Sequence, residues 1–272
     1  MTTRFVTATI RYLVPTGSTP VYIASQGGAD AALNIGADFE DREVEIHDAR
    51  LLAAPAELDR EGFELRPHQT AVADFYQIDQ VREAYDREVT ALVLAATGAQ
   101  EAIVFDHTLR SDSRTIRGAR NTREPASVIH NDYTDASATK RLKDLLPADQ
   151  AQVRLHKRFA IVNVWRSING TILDSALACC DARSLATDDL VASERRAAQR
   201  VGELQLVSWN SAHRWYYYPQ MRGEEALLIK TYDSALDGPA RRCVHTAFHD
   251  PAAPANAPAR ESIDSRLLVF YD

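Results

Sequence analysis

A succession of short strand-like segments fills the second half of this chain and limits its fold more than any other feature. Each segment is rich in β-branched and aromatic residues, and loops with Gly, Pro, Asp or Asn separate many of them, which is typical of β-strands. The segments are SVIHND, RFAIVNVWR, SALACCD, ELQLVSW, HRWYYY, ALLIKTY, RCVHTAF and SIDSRLLVFY. So many consecutive strands predict an antiparallel sheet that is closed or forms a sandwich.

The first part of the chain mixes strand and helix. Alternating apolar residues predict strands at residues 4–13 and 102–110. Apolar residues at three- and four-residue steps over 78–96, followed by Gly98, predict an amphipathic helix. A capping residue and a following proline predict a second helix at about 135–146.

We also expect a helical segment near 186–200, between two of the late strands. The organisation that follows is a single domain over residues 1–272. In it, the strands and helices of residues 1–110 pack on a β-rich core formed by residues 111–272.

Composition excludes several classes of protein. The net charge of −7 provides no overall attraction to nucleic acid or to an anionic membrane. We see neither a secretory signal at the start nor an apolar run of membrane-spanning length. Three cysteines, an odd count, argue against a disulfide framework and for a reducing compartment, so we expect a cytoplasmic protein. A homodimer and a monomer both stay open.

The sharpest chemical feature is His130-Asn131-Asp132. Residues i and i+2 of a strand point to the same face, so this imidazole and carboxylate would leave the sheet together. With His245, far along the chain, they would form the two-histidine, one-carboxylate triad of non-haem iron(II) oxygenases, which leaves three positions open. A surface histidine and a helix-preceding aspartate are the alternative for the pair alone. His249 and His213 are the alternative histidine ligands.

Arg260 and Ser262 strengthen the metal interpretation. They follow His245 by fifteen and seventeen residues and share one face of the last strand. A guanidinium binds a carboxylate through two hydrogen bonds, and a hydroxyl adds a third. This pair would hold the distal carboxylate of 2-oxoglutarate while its keto-acid end binds iron. The alternative is a solvated arginine after the Pro/Ala loop.

Five further residues are candidates for substrate contact. Trp165 and Arg166 lie on one strand but on opposite faces, unless a bulge reorients the arginine. His213 begins the aromatic strand that contains Tyr217, and Lys230 would pair with an acidic substrate or with a nearby aspartate. A tightly packed core accounts for most of these residues equally well.

The sequence resembles the hydroxylase/desaturase family of bacterial and fungal secondary metabolism, which includes the component associated with cephem 7α-hydroxylation. The resemblance spans about residues 60–272, in order. It is carried by GFEL, PHQT, IDQVREAY, TGAQEAIVFDHTLR, VIHNDYT, NVWRSI, LACCD, HRWYYYPQM, LLIKTYDS, VHTAFHDP and PARESIDSRLLVF. One departure is Ser175-Ala176, where the family pattern leads us to expect a proline.

The family in turn resembles the 2-oxoglutarate/iron(II) oxygenases. This resemblance implies a mainly β fold: a double-stranded β-helix core (jelly-roll, cupin-like) with flanking N-terminal α-helices. It assigns Fe(II) to His130, Asp132 and His245, and the cosubstrate carboxylate to Arg260 and Ser262. With 2-oxoglutarate and O₂ as cosubstrates, the enzyme would hydroxylate, desaturate or cyclise a small natural-product intermediate at a C–H bond.

Two other functions compete with this interpretation. A methyltransferase, as some relatives are labelled, would normally need a Gly-rich loop after a strand of a βαβ unit, and we find none. A cupin-like metal-binding protein would share the barrel, but it would not need the Arg260-x-Ser262 pair.

Overall fold

Strands predominate in this protein. The computed structural model describes residues 5–198, 200–238 and 240–272. The strands are β1 (Phe5–Val14), β2 (Val21–Ile23), β3 (Asn34–Gly36), β4 (Asp38–Asp48), β5 (Phe63–Pro67), β6 (Glu101–Ser111), β7 (His130–Asn131), β8 (Phe159–Ser167), β9 (Ala176–Cys180), β10 (Leu190–Ala197), β11 (Arg200–Val207), β12 (Trp215–Tyr217), β13 (Glu225–Asp233), β14 (His245–Phe248) and β15 (Glu261–Phe270). The α-helices are α1 (Ile78–Thr97), α2 (Arg114–Arg120), α3 (Asp135–Leu145) and α4 (Ala148–Leu155), and short 3₁₀ turns lie at Ala49–Leu51, Phe75–Gln77, Ala182–Ser184 and Thr187–Asp189.

The strands form two sheets with a common core. The larger sheet has the order β1-β4-β12-β9-β14-β7-β11-β10-β2-β3, and the smaller has the order β5-β13-β8-β15-β6. Trp215 and Ala178 of the larger sheet pack in one buried cluster with Trp165 and Ile229 of the smaller sheet. The predicted mainly β, jelly-roll architecture is thereby confirmed.

Helix α1 covers the outer face of the smaller sheet. Its residues Tyr85, Val89 and Val93 are fully buried and belong to the same apolar cluster as Val164 of β8. Gly98 ends the helix in the left-handed region, at φ 66°, where a side chain would be strained. The predicted helix, its apolar stripe and its end are confirmed.

Helix α3 fixes the chain directly after Asp132. The Thr134 side chain accepts the backbone N–H of Ser137, and the Ser137 hydroxyl accepts the backbone N–H of Thr134, which completes a capping box. Leu142 on the buried side of α3 packs in a cluster with Phe159 of β8. The start of this helix, three residues after Asp132, is therefore held by its capping box and by packing against the smaller sheet.

Two predictions about the sheet are wrong. We expected antiparallel pairing throughout, but β2 pairs with β10, and β4 with β12, in parallel. We also expected a helical segment at 186–200, but only Thr187–Asp189 is a 3₁₀ turn and β10 follows it. Because β10 forms ladders with β11, which directly follows it, and with the distant β2, strand pairing overrides the local helix preference.

Strands from the first 110 residues belong to both sheets. β1 to β4 extend the larger sheet, while β5 and β6 form the two edges of the smaller one. Within the part of the chain that the structure describes, no helix is long and apolar enough to cross a membrane.

Candidate metal centre

Strand pairing brings the two predicted histidine ligands together. His130 of β7 and His245 of β14 are direct cross-strand partners, and their ring centroids are 4.5 Å apart. Asp132 follows at the end of β7, and one ligand atom from each of the three residues lies within 4.8 Å of the others. Both histidines are buried, at 8% and 6% exposure. The three predicted ligands therefore meet at one point inside the barrel.

Backbone carbonyls orient both imidazoles. His130 Nδ1 lies 2.9 Å from the carbonyl oxygen of Val128, and His245 Nδ1 lies 3.2 Å from that of Cys243. Because a carbonyl oxygen only accepts, each Nδ1 carries the proton and each Nε2 presents a lone pair. Burial, with His245 nearby, lowers the pKa of His130 to about 3. His130 is thus neutral at physiological pH, and its Nε2 is available to bind a metal.

Asp132 presents a single oxygen to the histidines. Its Oδ2 accepts hydrogen bonds from Asn163 Nδ2 at 2.7 Å and from Arg266 Nε at 3.0 Å. Its Oδ1 lies 3.8 Å from His130 Nε2. Burial alone would raise the pKa of Asp132, but the charge of Arg266, aided by His130 and His245, holds that pKa well below its usual range. The carboxylate is therefore ionised and ready to bind a cation.

The roles of Asn163 and Arg266 were missed by the sequence analysis. A signal for Arg266 was present, since it lies an even number of residues after Arg260 and Ser262 on the same strand. Asn163 lies two residues before Trp165 and therefore shares its strand face. Nothing in the sequence alone connects either side chain with Asp132, because the three residues lie on different strands.

A small polar cavity extends from the histidines to the start of β15. Arg260 lines this cavity too, and its guanidinium is 5.6 Å from the ring centroid of Trp165. The residues that line the cavity come from both sheets and from the segment before β7: Arg110, Ala126, His130, Trp165, Leu177, Ile229, His245, Arg260, Asp264 and Arg266.

Arg260 is a buried cation with spare donors. Only 3% of it is exposed, and one terminal nitrogen donates to the carbonyl oxygen of Ser175 at 2.6 Å. Its Nε and the hydroxyl of Ser262 are buried without a hydrogen-bond partner. Burial, together with the charge of Arg110, lowers the pKa of Arg260 to about 10, so the guanidinium is still charged at neutral pH. Among the residues that the structure describes, six arginines have a buried Nε without a hydrogen-bond partner, and Arg260 is the one of them that lines this cavity. A carboxylate bound in the cavity would complete its donors.

The residues present fit a mononuclear iron(II) ion and a 2-oxo acid. Two imidazole nitrogens and one carboxylate oxygen match the ligand set of non-haem iron(II) oxygenases, in which the remaining positions stay open. Arg260, which lines the same cavity, and Ser262, two residues after it, match the charge and the hydrogen-bonding needs of a carboxylate.

Comparison with known proteins gives the family. The family pattern described as "Oxidoreductase/YMDC permease-like domain" matches residues 10–270. The chain is 33% identical over 257 residues to hydroxylase/desaturase efuI of Hormonema carpetanum, an alignment that covers 86% of this chain and 85% of that protein. This chain belongs to the hydroxylase/desaturase family.

Other relatives of the family carry the cofactors in their names. Fe(II)/2-oxoglutarate-dependent dioxygenase nvfI of Aspergillus novofumigatus is 33% identical over 247 residues, covering 84% of this chain and 83% of that protein. The solved structure of the iron and alpha-ketoglutarate-dependent endoperoxidase NvfI superposes with a TM-score of 0.83 at 27% identity, covering 98% of each chain. The predicted family membership is confirmed.

Not every candidate substrate residue lies in the cavity. Trp165 lines it, whereas Arg166 points to the other face of β8 and donates to the Nδ1 of His68 at 3.0 Å and to the carbonyl oxygen of Gly223. Lys230, fully buried on the next strand, pairs with Asp233 at 3.1 Å and also contacts Asp59. In this hydroxylase/desaturase family member, neither cation lines the cavity that contains His130 and His245.

His213 and Tyr217 lie farther from the ligands. His213 Nδ1 is 3.1 Å from the Tyr12 hydroxyl, and its Nε2 is 3.0 Å from Asp189 Oδ2, so both ring nitrogens are occupied. Tyr217 makes an edge contact with the ring of Phe248, at a centroid distance of 5.2 Å. His213 is thus held by structural partners. Tyr217 packs against Phe248, which lines a separate, larger cleft.

The alternative ligand His249 lies at the surface. Its side chain is 87% exposed and its Nδ1 lies 3.2 Å from Asp174 Oδ2. Together with His213, it takes no part in the three-residue cluster around His130.

A larger cleft, of about 460 Å³, lies beside the cavity. Ala247, which lines it, follows His245 by two residues and so shares its strand face. Ser175, whose carbonyl oxygen binds Arg260, lines it as well. The cleft is mainly apolar, and its walls are Arg11, Ala32, Leu33, Ile35, Phe39, Asp112, Glu124, Pro125, Ser127, Val128, Ser175, Ala247, Phe248 and His249.

Proposed function

We propose that this chain, acting as one domain, is an iron(II)- and 2-oxoglutarate-dependent oxygenase in which His130, Asp132 and His245 hold the metal. The observation that carries the proposal is the position of Arg260. This buried guanidinium, with an unpaired Nε, lines the same cavity as the two histidines, and the unpaired hydroxyl of Ser262 lies two residues away on its strand face. A metal-binding protein without a cosubstrate has no use for that pair.

Each side chain has a distinct task in this proposal. His130 and His245 offer Nε2 atoms whose orientation is fixed by their Nδ1 contacts, and Asp132 offers Oδ1. Arg260 and Ser262 bind the distal carboxylate of 2-oxoglutarate, which places its keto-acid end toward the histidines. When bound, the iron supplies activation of O₂ and oxidation of a C–H bond, with succinate and CO₂ as coproducts. The walls of the barrel exclude water from that chemistry.

The substrate is a small molecule that enters the larger cleft. The mainly apolar lining suits a hydrocarbon skeleton, and the position of Ala247 beside His245 directs the cleft toward the proposed metal. Tyr217 supports the wall through Phe248. Hydroxylation, desaturation and ring formation all begin with the same loss of hydrogen from carbon.

The cysteines support a reducing compartment such as the cytoplasm. Cys179, Cys180 and Cys243 are all buried and free of disulfides. A secreted protein would more often use such residues in disulfide bonds.

Metal-dependent stabilisation tests the proposal. We expect Fe(II), added anaerobically at about 100 times its Kd, to stabilise the fold by about 2.7 kcal/mol, and 2-oxoglutarate to stabilise it further. His245→Ala should fold without metal and should lose both effects. Succinate should form only with iron(II), 2-oxoglutarate and O₂ together. If metal stabilises His245→Ala and the natural protein equally, the assignment of the site is wrong.

A further inference from the structure

Arg266 contacts three carboxylates. Its Nε donates to Asp132 Oδ2 at 3.0 Å, and one terminal nitrogen donates to Asp106 Oδ2 at 2.6 Å. The other terminal nitrogen lies 2.6 Å from Asp264 Oδ2. The side chain of Arg266 is 11% exposed, and those of Asp132 and Asp264 are 13% and 10% exposed. Pairs this buried hold their geometry firmly, because each charge is costly without its partner.

Asp264 is a carboxylate that the proposed metal chemistry does not use. It lies between Ser262 and Arg266 on the cavity face of β15, and it lines the same cavity as His130 and His245. Carboxylate oxygens bind divalent cations readily, so an unrestrained Asp264 would compete for the metal. A fourth protein ligand would fill a position that an oxygenase must leave open for its cosubstrates.

We propose that Arg266 keeps this metal site at three protein ligands. Its guanidinium engages Oδ2 of Asp132, so that only Oδ1 faces the histidines, and it holds Asp264 against itself rather than against the metal. Arg266 is a positioning residue, because it acts through two carboxylates and touches no reacting atom. The inference rests on the proposed function, since open positions matter only where a cosubstrate must bind.

Co²⁺ and 2-oxoglutarate are suitable probes, because both can be titrated without turnover. The apo-protein is titrated with Co²⁺ and followed by visible absorption, and the Co²⁺ form is then titrated with 2-oxoglutarate. In Arg266→Gln, Co²⁺ affinity should be kept or increased because Asp264 adds a ligand, while 2-oxoglutarate affinity should fall by about tenfold or more, since Asp264 then occupies a position that the cosubstrate needs. The absorption should also change, since an added ligand alters the geometry around Co²⁺.

A second substitution makes the test specific. In Arg266→Gln/Asp264→Asn the competing carboxylate is gone, so 2-oxoglutarate affinity should return to within about threefold of Asp264→Asn alone, because the effect of Arg266 is expected to depend on Asp264, its direct contact. If Arg266→Gln alone does not fold, the double variant is compared directly with Asp264→Asn. The double variant should fold more readily, because it leaves fewer buried charges unpaired. Arg158→Gln is the matched control: Arg158 also pairs with a buried carboxylate, Asp233, at 2.6 Å.

The outcomes separate the inference from the proposed function. Loss of Co²⁺ binding in Arg266→Gln, or a double variant that binds 2-oxoglutarate tenfold more weakly than Asp264→Asn, would overturn the role of Arg266. Equal Co²⁺ affinity in His130→Ala and in the natural protein would overturn the proposed metal site itself.

Discussion

Replacing Arg260 by alanine removes a guanidinium that is 3% exposed and that lines the cavity of the proposed iron ligands. Its Nε and the Ser262 hydroxyl are unpaired, which leaves two donors for one carboxylate. Truncating one partner of a buried, hydrogen-bonded charge pair costs about 2–5 kcal/mol. The Kd for 2-oxoglutarate should therefore rise by roughly thirty- to several-thousand-fold. Iron affinity should not change, because Arg260 contacts none of the three ligands.

The measurement is an anaerobic titration of the iron(II) protein with 2-oxoglutarate, followed through the metal-to-ligand charge-transfer band. Arg260→Lys should recover only part of the loss, because an ammonium lacks the planar fork that binds both carboxylate oxygens. Arg158→Ala, which removes a partly exposed arginine outside the cavity, controls for general effects of lost charge. A titration curve for Arg260→Ala that matches the natural protein would refute the clamp and leave the choice of cosubstrate open.

Two further substitutions test Arg166 and Asp233, buried charged residues that do not line the cavity of the histidines. Arg166→Ala removes hydrogen bonds from a charged, buried donor and should cost about 1.5–3 kcal/mol in urea unfolding, while the Kd for 2-oxoglutarate stays unchanged; a weaker Kd would place Arg166 in the site after all. Asp233→Asn breaks a fully buried ion pair with Lys230 and should cost about 3–5 kcal/mol at pH 7. Burial opposes ionisation of Asp233, but Arg158 and Lys230 hold its pKa below the usual range, so its stabilisation exists above an unfolded pKa of about 3.9 and is lost as pH falls further. The Asn variant should therefore lose less stability than the natural protein between pH 5 and pH 3 (roughly the range around that pKa), and equal losses would contradict this role of Asp233.

The long, strongly patterned elements were predictable from sequence, and the short or charged ones were not. The apolar stripe of helix α1 and the glycine at its end, Gly98, are both visible in the sequence. By contrast, β2 and β3 have three residues each, and β4 reads DFEDREVEIHD, which looks like a solvated segment. Their strand character comes from partners: β4 pairs with β1 from Asp38 to His47, and β2 pairs with β10 from a distant part of the chain. Such non-local pairing leaves no local pattern to detect.

The clustering of the three proposed metal ligands was predictable because the spacing of His130 and Asp132 carries the chemistry. His130 and Asp132 must leave one strand on one side, and only the strand period is needed to see that. The residues that hold Asp132 are different, since Asn163 and Arg266 reach it from two other strands. Their relation to the metal site depends on how the two sheets face each other, which the sequence does not encode locally.

The same dependence explains why Arg166 and Lys230 were included among the candidate substrate residues. Every residue of β8 and of β13 is buried, so neither strand shows the alternation of apolar and polar residues that separates an inner from an outer face. In a sheet covered on both sides, charged residues on either face are equally hidden from water. Which residues of such a strand point to which side of the sheet has to be read from the strand that pairs with it.

Strand β15 shows which residues of β8 point toward the cavity. Cross-strand partners point to the same side of a sheet, and β15 pairs Asp264 with Trp165 and Arg266 with Asn163. If Arg260 and Ser262 face the metal, the period of two requires that Asp264 and Arg266 face it as well, and register then carries Trp165 and Asn163 with them. Arg166, one residue from Trp165, must point to the other side. If Arg260 binds the cosubstrate, the residues that share its strand face must also point toward the metal site. An experiment showing that Arg260 lies outside the site would therefore exclude those residues from the site as well.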